Sequence, residues 1–476
     1  MRTSLWAIIA CIGLLGLSAC TLHEGTAVQL PDRLPDHYLE RPDQSASAKP
    51  LQRWWEQFGD EHLNRLVTEL FAQNLQLEQA LSRLEQARAT VRVVRSARFP
   101  ALDLNADAGR AMQPTFSGDV TGNNSQYAAA ARFELDLWGK LAARDRAAMK
   151  SAEATYEELQ TLYLSLAAQL ADLYYLAVEQ RAQLELTDNT IVSFEDTVDL
   201  VESRYRAGLV PALDVYQARQ NLAAAKATRP LFSANLAAAE HALAVLLGRY
   251  PKRELAGSLA MLPTLQETFP EGLPSELVGN RPDLRAALRR IEAADENVAA
   301  AIAERYPSVN LLGNYGYSRQ DFSTGLIKGE FWSLLGNLAL PVIDAGRRQA
   351  EVERNQAIVR ERVADYQLAL LQAFQDVEDA LSNSLATEQR IAGLVETEAA
   401  TSGALRLSLN RYLYGINDYL PVLTAQRNQF EVQSQLLSSR RGLISARISL
   451  LRALGGNWMT EEIERRLAST TGAKQP

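Results

Sequence analysis

Histidine and cysteine are scarce in this chain of 476 residues: four histidines (His23, His37, His62, His241) and two cysteines (Cys11, Cys20). That scarcity excludes a Cys/His zinc centre and a disulfide framework. Positive charge is short as well. Lys and Arg number 49 against 57 Asp and Glu, a net charge of −8, so no basic field draws nucleic acid. No P-loop, GxSxG or GxGxxG occurs, and the paired carboxylates fall within helical charge patterns that solvation explains. Neither an enzyme nor a bound metal or cofactor is expected. What remains is ordinary for a folded protein: 47% apolar and 22% charged residues.

The chain starts with a leader. Arg2 precedes an apolar run from Leu5 to Leu17, too short for a good membrane span. Small residues close it at Leu17-Ser18-Ala19-Cys20, as a cleavage site requires. That box resembles the bacterial lipobox. The resemblance implies removal of residues 1–19 as a signal peptide and lipidation of Cys20, palmitate included, at the head of a linker over 20–60. Thr21 in place of Asp implies sorting to the outer membrane. The mature chain would begin at Cys20 and hold no other cysteine.

At a constant offset of 207 the two halves align without a gap. Residues 74–100 fall on 281–307 with nine of 27 positions identical, among them Leu77/Leu284, Arg83/Arg290 and Pro100/Pro307. Residues 204–218 fall on 411–425 with six of 15 identical, and Gly139 and Gly248 fall on Gly346 and Gly455. A period this long is a doubled fold rather than a short-repeat solenoid. The repeats are read as 61–273 and 274–456, followed by a tail over 457–476.

Each half opens with a hairpin, at about 99–138 and 306–344. Leu102, Leu104, Ala106 and Ala108 alternate with Asp103, Asn105 and Asp107. Tyr127 to Leu137 alternates with Gln126, Arg132, Glu134 and Asp136 across a Gly/Ser/Asn-rich loop expected at 112–125. Val309, Leu311, Tyr315 and Tyr317, then Leu334, Leu338, Leu340 and Val342, repeat the pattern. Strands of about ten residues with one apolar face suit a transmembrane barrel. Trp138 and Trp332 are expected at strand ends, in an interfacial aromatic girdle. The acidic inner face is expected to favour cations.

Helix follows each hairpin. Lys140 to Arg206 and Arg347 to Leu413 are both 67 residues long, about 100 Å of helix at 1.5 Å per residue. Leu159, Leu162, Leu166, Leu173 and Ala177 keep coiled-coil spacing. Glycine turns at Gly208 and Gly415 lead into returning helices 212–248 and 419–455. Helices 62–97 and 281–304 make up the missing length, and 249–275 is a Pro/Gly-rich loop. Four strands cannot close a barrel, since about eight is the minimum, and open edges cannot face lipid. Two, three or four copies would supply 8, 12 or 16 strands.

Phe133-Glu134-Leu135-Asp136-Leu137-Trp138-Gly139-Lys140, Arg281-Pro282-Asp283-Leu284, Arg411-Tyr412-x-x-Gly415, the duplication and the lipobox resemble the outer-membrane factor (TolC-like) family, in its NodT-like lipoprotein branch. The resemblance implies a mainly α fold with a transmembrane β-barrel: a homotrimer with a 12-stranded barrel and a periplasmic α-helical tunnel. It implies an exit duct joined through a periplasmic adaptor to an inner-membrane transporter of RND type, in contact with outer-membrane lipid. Its docking tips would be Gly208, Leu209 and Val210 with Gly415, Ile416 and Asn417. Asp418 is the candidate gate, as a ring of carboxylates, with Arg411 as its cationic partner and Tyr412 beside it. Asp214 serves as the control. Pro421 and Thr424 stand where some members carry acidic residues. The other reading is a lipid-anchored periplasmic adaptor, which would have no use for four strands with an apolar outer face.

Overall fold

The computed structural model describes residues 23, 25, 38–39, 53–116, 118–251, 262, 279–322 and 325–472. Cys20 with its lipobox, and most of the loop 249–275, lie outside these residues. After a 3-10 turn at Trp54–Phe58 come α1 (Glu61–Gln73), α2 (Leu75–Ser96), β1 (Ala101–Thr115), β2 (Gly118–Leu135), α3 (Lys140–Arg206) and α4 (Ala212–Leu246). The order then repeats as α5 (Pro282–Ala303), β3 (Ser308–Phe322), β4 (Gly325–Ala339), α6 (Arg347–Leu413) and α7 (Leu420–Leu454), with α8 (Met459–Gly472) last. The chain divides into two compact units. One takes Met1–Asp32, Ser82–Tyr156 and Ala286–Leu368; the other takes Arg33–Leu81, Glu157–Arg285 and Ala369–Pro476.

In the first unit β1 to β4 form one antiparallel sheet in sequence order, so β1 and β4 each have one neighbour among the described residues. The register keeps Leu102 beside Ala131, Tyr127 beside Tyr317, and Tyr315 beside Trp332, so the alternating apolar residues share one face. The strands run to 15 or 18 residues rather than ten, and β1 and β2 absorb most of the loop expected at 112–125. Polar side chains there do not end the ladder, because pairing continues through backbone groups up to the turn. Beneath the sheet, Arg95 and Arg98 reach the buried Asp145 at 3.1 and 2.8 Å, and Lys150 meets Glu292 at 3.1 Å.

The second unit centres on aromatic packing. Trp55 lies 4.7 Å from Trp458 and Phe71 lies 5.1 Å from Tyr163, measured between ring centroids. Asp60 accepts from the amides of His62 and Leu63, capping α1, and from the Tyr174 hydroxyl at 2.6 Å. Burial and that carboxylate push the Tyr174 phenol up. Trp54, Trp55, Phe58 and Asp60 are therefore buried in this core, within the span read as a linker. The expected tail likewise forms α8, and Trp458, Met459 and Ile463 are buried with it.

Two more expectations change. The helix read over 62–97 breaks at Asn74, which is extended; its side chain accepts from Leu77 N at 3.0 Å and donates to Leu246 O at 2.6 Å. An Asn side chain there ends one helix and caps the next. The spacing read as a coiled-coil seam in α3 is wider. Leu159, Tyr163, Leu164, Leu166, Leu170, Tyr174, Tyr175 and Val178 are all buried, whereas Leu162 and Leu173 are half-buried. A helix apolar on most sides is a core helix rather than one member of a pair.

The duplication reaches backbone detail. A Cβ on Gly248 would collide with the carbonyl oxygen of Gln73, and one on Gly455 with that of Asn280. Both glycines and both carbonyls are related by the repeat offset, so each half makes the same close approach that only glycine permits.

Candidate functional site

Two regions are candidates, one in each unit. In the sheet unit the apolar face carries Leu102, Leu104, Phe133, Leu311, Leu334 and Leu338, with Leu102, Leu104, Leu334 and Leu338 strongly exposed. Trp332 is 77% exposed but sits in the middle of β4, not at its end. It marks instead where the apolar stretch ends. Tyr315 is its cross-strand partner, Tyr127 stacks on Tyr317 at 5.6 Å with Glu330 opposite Tyr317, and beyond them on the same face come Lys328 and Arg319. At the foot of the sheet Trp138 donates to Pro307 O at 2.7 Å and stacks on Tyr306 at 5.0 Å. From Tyr306 to Tyr315 is about 30 Å of strand at ~3.3 Å per residue. A tilt of about 35–45° reduces that to roughly 21–25 Å, close to the height of a membrane-crossing band between aromatic girdles.

The opposite face is less acidic than its sequence suggests. Asp103 pairs with Arg132 at 3.2 Å and Glu134 with Lys140 at 2.5 Å. Asp136 accepts from the amides of Leu141 and Ala142 and so caps α3. Of the four carboxylates expected to favour cations, Asp107 alone has no partner among the described residues. Pairing on the sheet and capping at its end take up the rest.

In the other unit the two helical turns share one conformation. Gly208 (φ 75°) and Gly415 (φ 72°) occupy the left-handed region. Leu209 N bonds Arg204 O and Ile416 N bonds Arg411 O, both at 2.9 Å. These are paired Schellman closures, in which glycine takes the position that side chains resist. Leu209 and Ile416 are 66% and 62% exposed, and Val210 and Asn417 are half-buried. Behind them Val198, Val201, Val215, Ala218, Tyr412, Tyr419 and Val422 form one buried cluster, so both turns pack on a common core. The Arg204 guanidinium lies 4.9 Å from the Tyr412 ring and donates to Leu413 O at 2.9 Å.

The gate residues expected from the sequence are distributed differently. Asp418 is exposed, and among the described residues it forms no ion pair with Arg411, which is also exposed. Tyr412 is buried. Asp214, taken as the control, is the residue held inside: it is 8% exposed, and burial followed by the nearby Asp418 charge pushes its carboxyl up. Its signal was present in the sequence, as one carboxylate in the apolar first turn of α4. Its burial depends on the second turn, which the other half of the chain supplies.

The family model for outer membrane efflux proteins matches twice, at residues 66–249 and 273–456, and the two matches are related by the repeat offset at both ends. The chain belongs to the outer membrane efflux protein family. It is 30% identical over 460 residues to a solvent efflux pump outer membrane protein of Pseudomonas putida, covering 94% of this chain and 98% of that one. It is 31% identical over 473 residues to the outer membrane protein OprJ of Pseudomonas aeruginosa, covering 96% and 97%. The open-state outer membrane channel MtrE of Neisseria gonorrhoeae superposes with a TM-score of 0.80 at 25% identity, covering 92% and 98%. The family is one of outer-membrane channels with a large periplasmic part, not of enzymes. That membership replaces the adaptor reading.

Proposed function

We propose that this chain is the passive outer-membrane duct of a tripartite efflux pump. Three copies pool their four strands into a 12-stranded barrel and their long helices into a periplasmic tunnel. The observation that carries this reading is the sheet: one apolar face with aromatic residues at both of its limits, and two edges without a neighbour among the described residues. An open edge in lipid leaves backbone groups unpaired, and joining edges between copies removes that cost. The exposed turns at Leu209 and Ile416 offer an apolar surface to an adaptor helical hairpin, and the adaptor connects to an RND-type transporter. Closure of the duct lies at the shared core behind those turns, where Asp214, Asp418, Tyr412 and Arg204 meet. Cys20 carries the lipid.

The purified protein should run as a heat-modifiable trimer, open single channels in planar bilayers and crosslink to the adaptor through residue 209 or 416. A monomer without conductance would overturn the duct. Cys20→Ser should abolish palmitate labelling yet leave some trimer, because strands already anchor the barrel. Labelling at wild-type level would remove the lipidation.

A further inference from the structure

Where the sheet meets the helices lies a cavity of about 350 Å³ that the duct does not require. Its walls are mixed in a particular way. Leu135, Leu137 and Leu340 continue the apolar face downward, and the Trp138–Tyr306 stack closes one side, with Trp138 fixed to Pro307 O. Three carboxylates line it, and all are engaged: Glu134 by Lys140, Asp136 by two amides of α3, and Glu304 by Arg144. Of the three lining cations, Lys140 is held by Glu134 and Arg348 by Asp344 at 2.8 Å. Arg347 is exposed, and its guanidinium has no partner among the described residues. The cavity thus carries one uncommitted guanidinium and no uncommitted carboxylate.

We propose that this cavity seats the phosphate of a phospholipid from the periplasmic leaflet, with Arg347 as its ligand and the Trp138–Tyr306 stack against the glycerol. A guanidinium matches phosphate oxygens with two parallel hydrogen bonds, which an ammonium cannot do. Stacked Trp and Tyr at the foot of an apolar band lie at headgroup depth, where amphipathic rings are favoured. The apolar residues above the cavity give the acyl chains a surface continuous with the barrel wall. A net anionic lipid is preferred over a zwitterionic one, since no free carboxylate is available for a choline or ethanolamine cation. Inorganic phosphate shares the anion chemistry but lacks the chains.

The test uses the delipidated full-length trimer in detergent, with retained lipid counted by native mass spectrometry. Phosphatidylglycerol, phosphatidylcholine and inorganic phosphate are added separately. Wild type should retain phosphatidylglycerol several-fold better than phosphatidylcholine. Arg347→Gln should lower that retention about tenfold, and Arg347→Lys should restore part of it. Arg348→Gln should change it little, because Asp344 already holds that guanidinium. Heat-modifiable trimer at the wild-type level shows that a variant has assembled, so a lost site is distinguished from a lost barrel. Unchanged phosphatidylglycerol retention in assembled Arg347→Gln would overturn the proposal. So would displacement of the lipid by inorganic phosphate at equal concentration, which would mark a site for free anions only.

Discussion

Helices α3 and α6 are repeat copies of one another, 67 residues each, yet their surroundings have diverged. Leu164 in α3 is 5% exposed, whereas its repeat partner Leu371 in α6 is 62% exposed. Between Leu381 and Tyr412 no residue of α6 is buried, although Val395 and Leu407 are large and apolar. Helix α3 holds a stretch long and apolar enough to cross a membrane by length and composition, but 61% of that stretch is buried within the chain. Duplication has kept the backbone and reassigned the side chains. The first copy is buried along much of its length, whereas the second is buried at Tyr366, Leu370 and Val377 but leaves Leu371, Val395 and Leu407 exposed.

That contrast can be broken most directly with the paired leucines. Leu164→Ala should leave a cavity and cost about 2–5 kcal/mol of chain stability. Leu371→Ala should stay within about 0.5 kcal/mol for the isolated chain but reduce the trimer fraction. Thermal unfolding of the detergent-extracted chain and gel analysis of trimer measure the two effects. Equal losses of stability would show that α6 is as much core as α3.

The hairpins should behave in the opposite way, because both contribute to one surface. Leu102→Arg in the first and Leu334→Arg in the second, which share one cross-strand row inside the apolar band, should each cost about 2–4 kcal/mol per chain, and Leu104→Arg, in the row of Tyr315 and Trp332 at its limit, about 0–1 kcal/mol. Asn105→Arg, on the other face, should assemble normally. Trimer yield reads all four, and a uniform loss would mean that depth and face are wrongly assigned.

These contrasts also mark what could be read before the fold. Both long helices were legible to the residue, because proline is absent within them and glycine follows them. The strand faces were legible from alternation alone. The depth of Trp332 was not, since it depends on where apolar residues stop on three neighbouring strands. The break at Asn74 was hidden because asparagine is tolerated within helices, and its capping role needs Leu246 beside it. Asp136 read as a lumen carboxylate until the first turn of α3 supplied its donors. Sequence showed periodicity and punctuation; partners brought together by folding decided the rest.

The smallest effect should come from the helical turns, where the two copies meet. Asp214 is buried against Tyr412, Tyr419 and the exposed Asp418, with Arg204 over Tyr412. Burial raises both phenols, so they stay neutral across the useful range, and Asp214 is the buried carboxyl of this core. Its pKa is raised on packing, so the packed turns hold more protons than separated turns in the window between the ordinary and the raised value. Packing is therefore strengthened as pH falls through that window and weakened as it rises. If this core closes the duct, single-channel conductance should fall severalfold as the pH drops from neutral toward the ordinary carboxylate range. Asp214→Asn should hold it low at every pH. Asp418→Asn removes the like charge that helps to raise Asp214, so its transition should move to lower pH without loss of trimer. Burial is the larger cause of the shift, so that movement should be smaller than the whole effect. Wild-type pH dependence in Asp214→Asn would remove this carboxylate from the gate and leave the shared apolar core as the only constraint on opening.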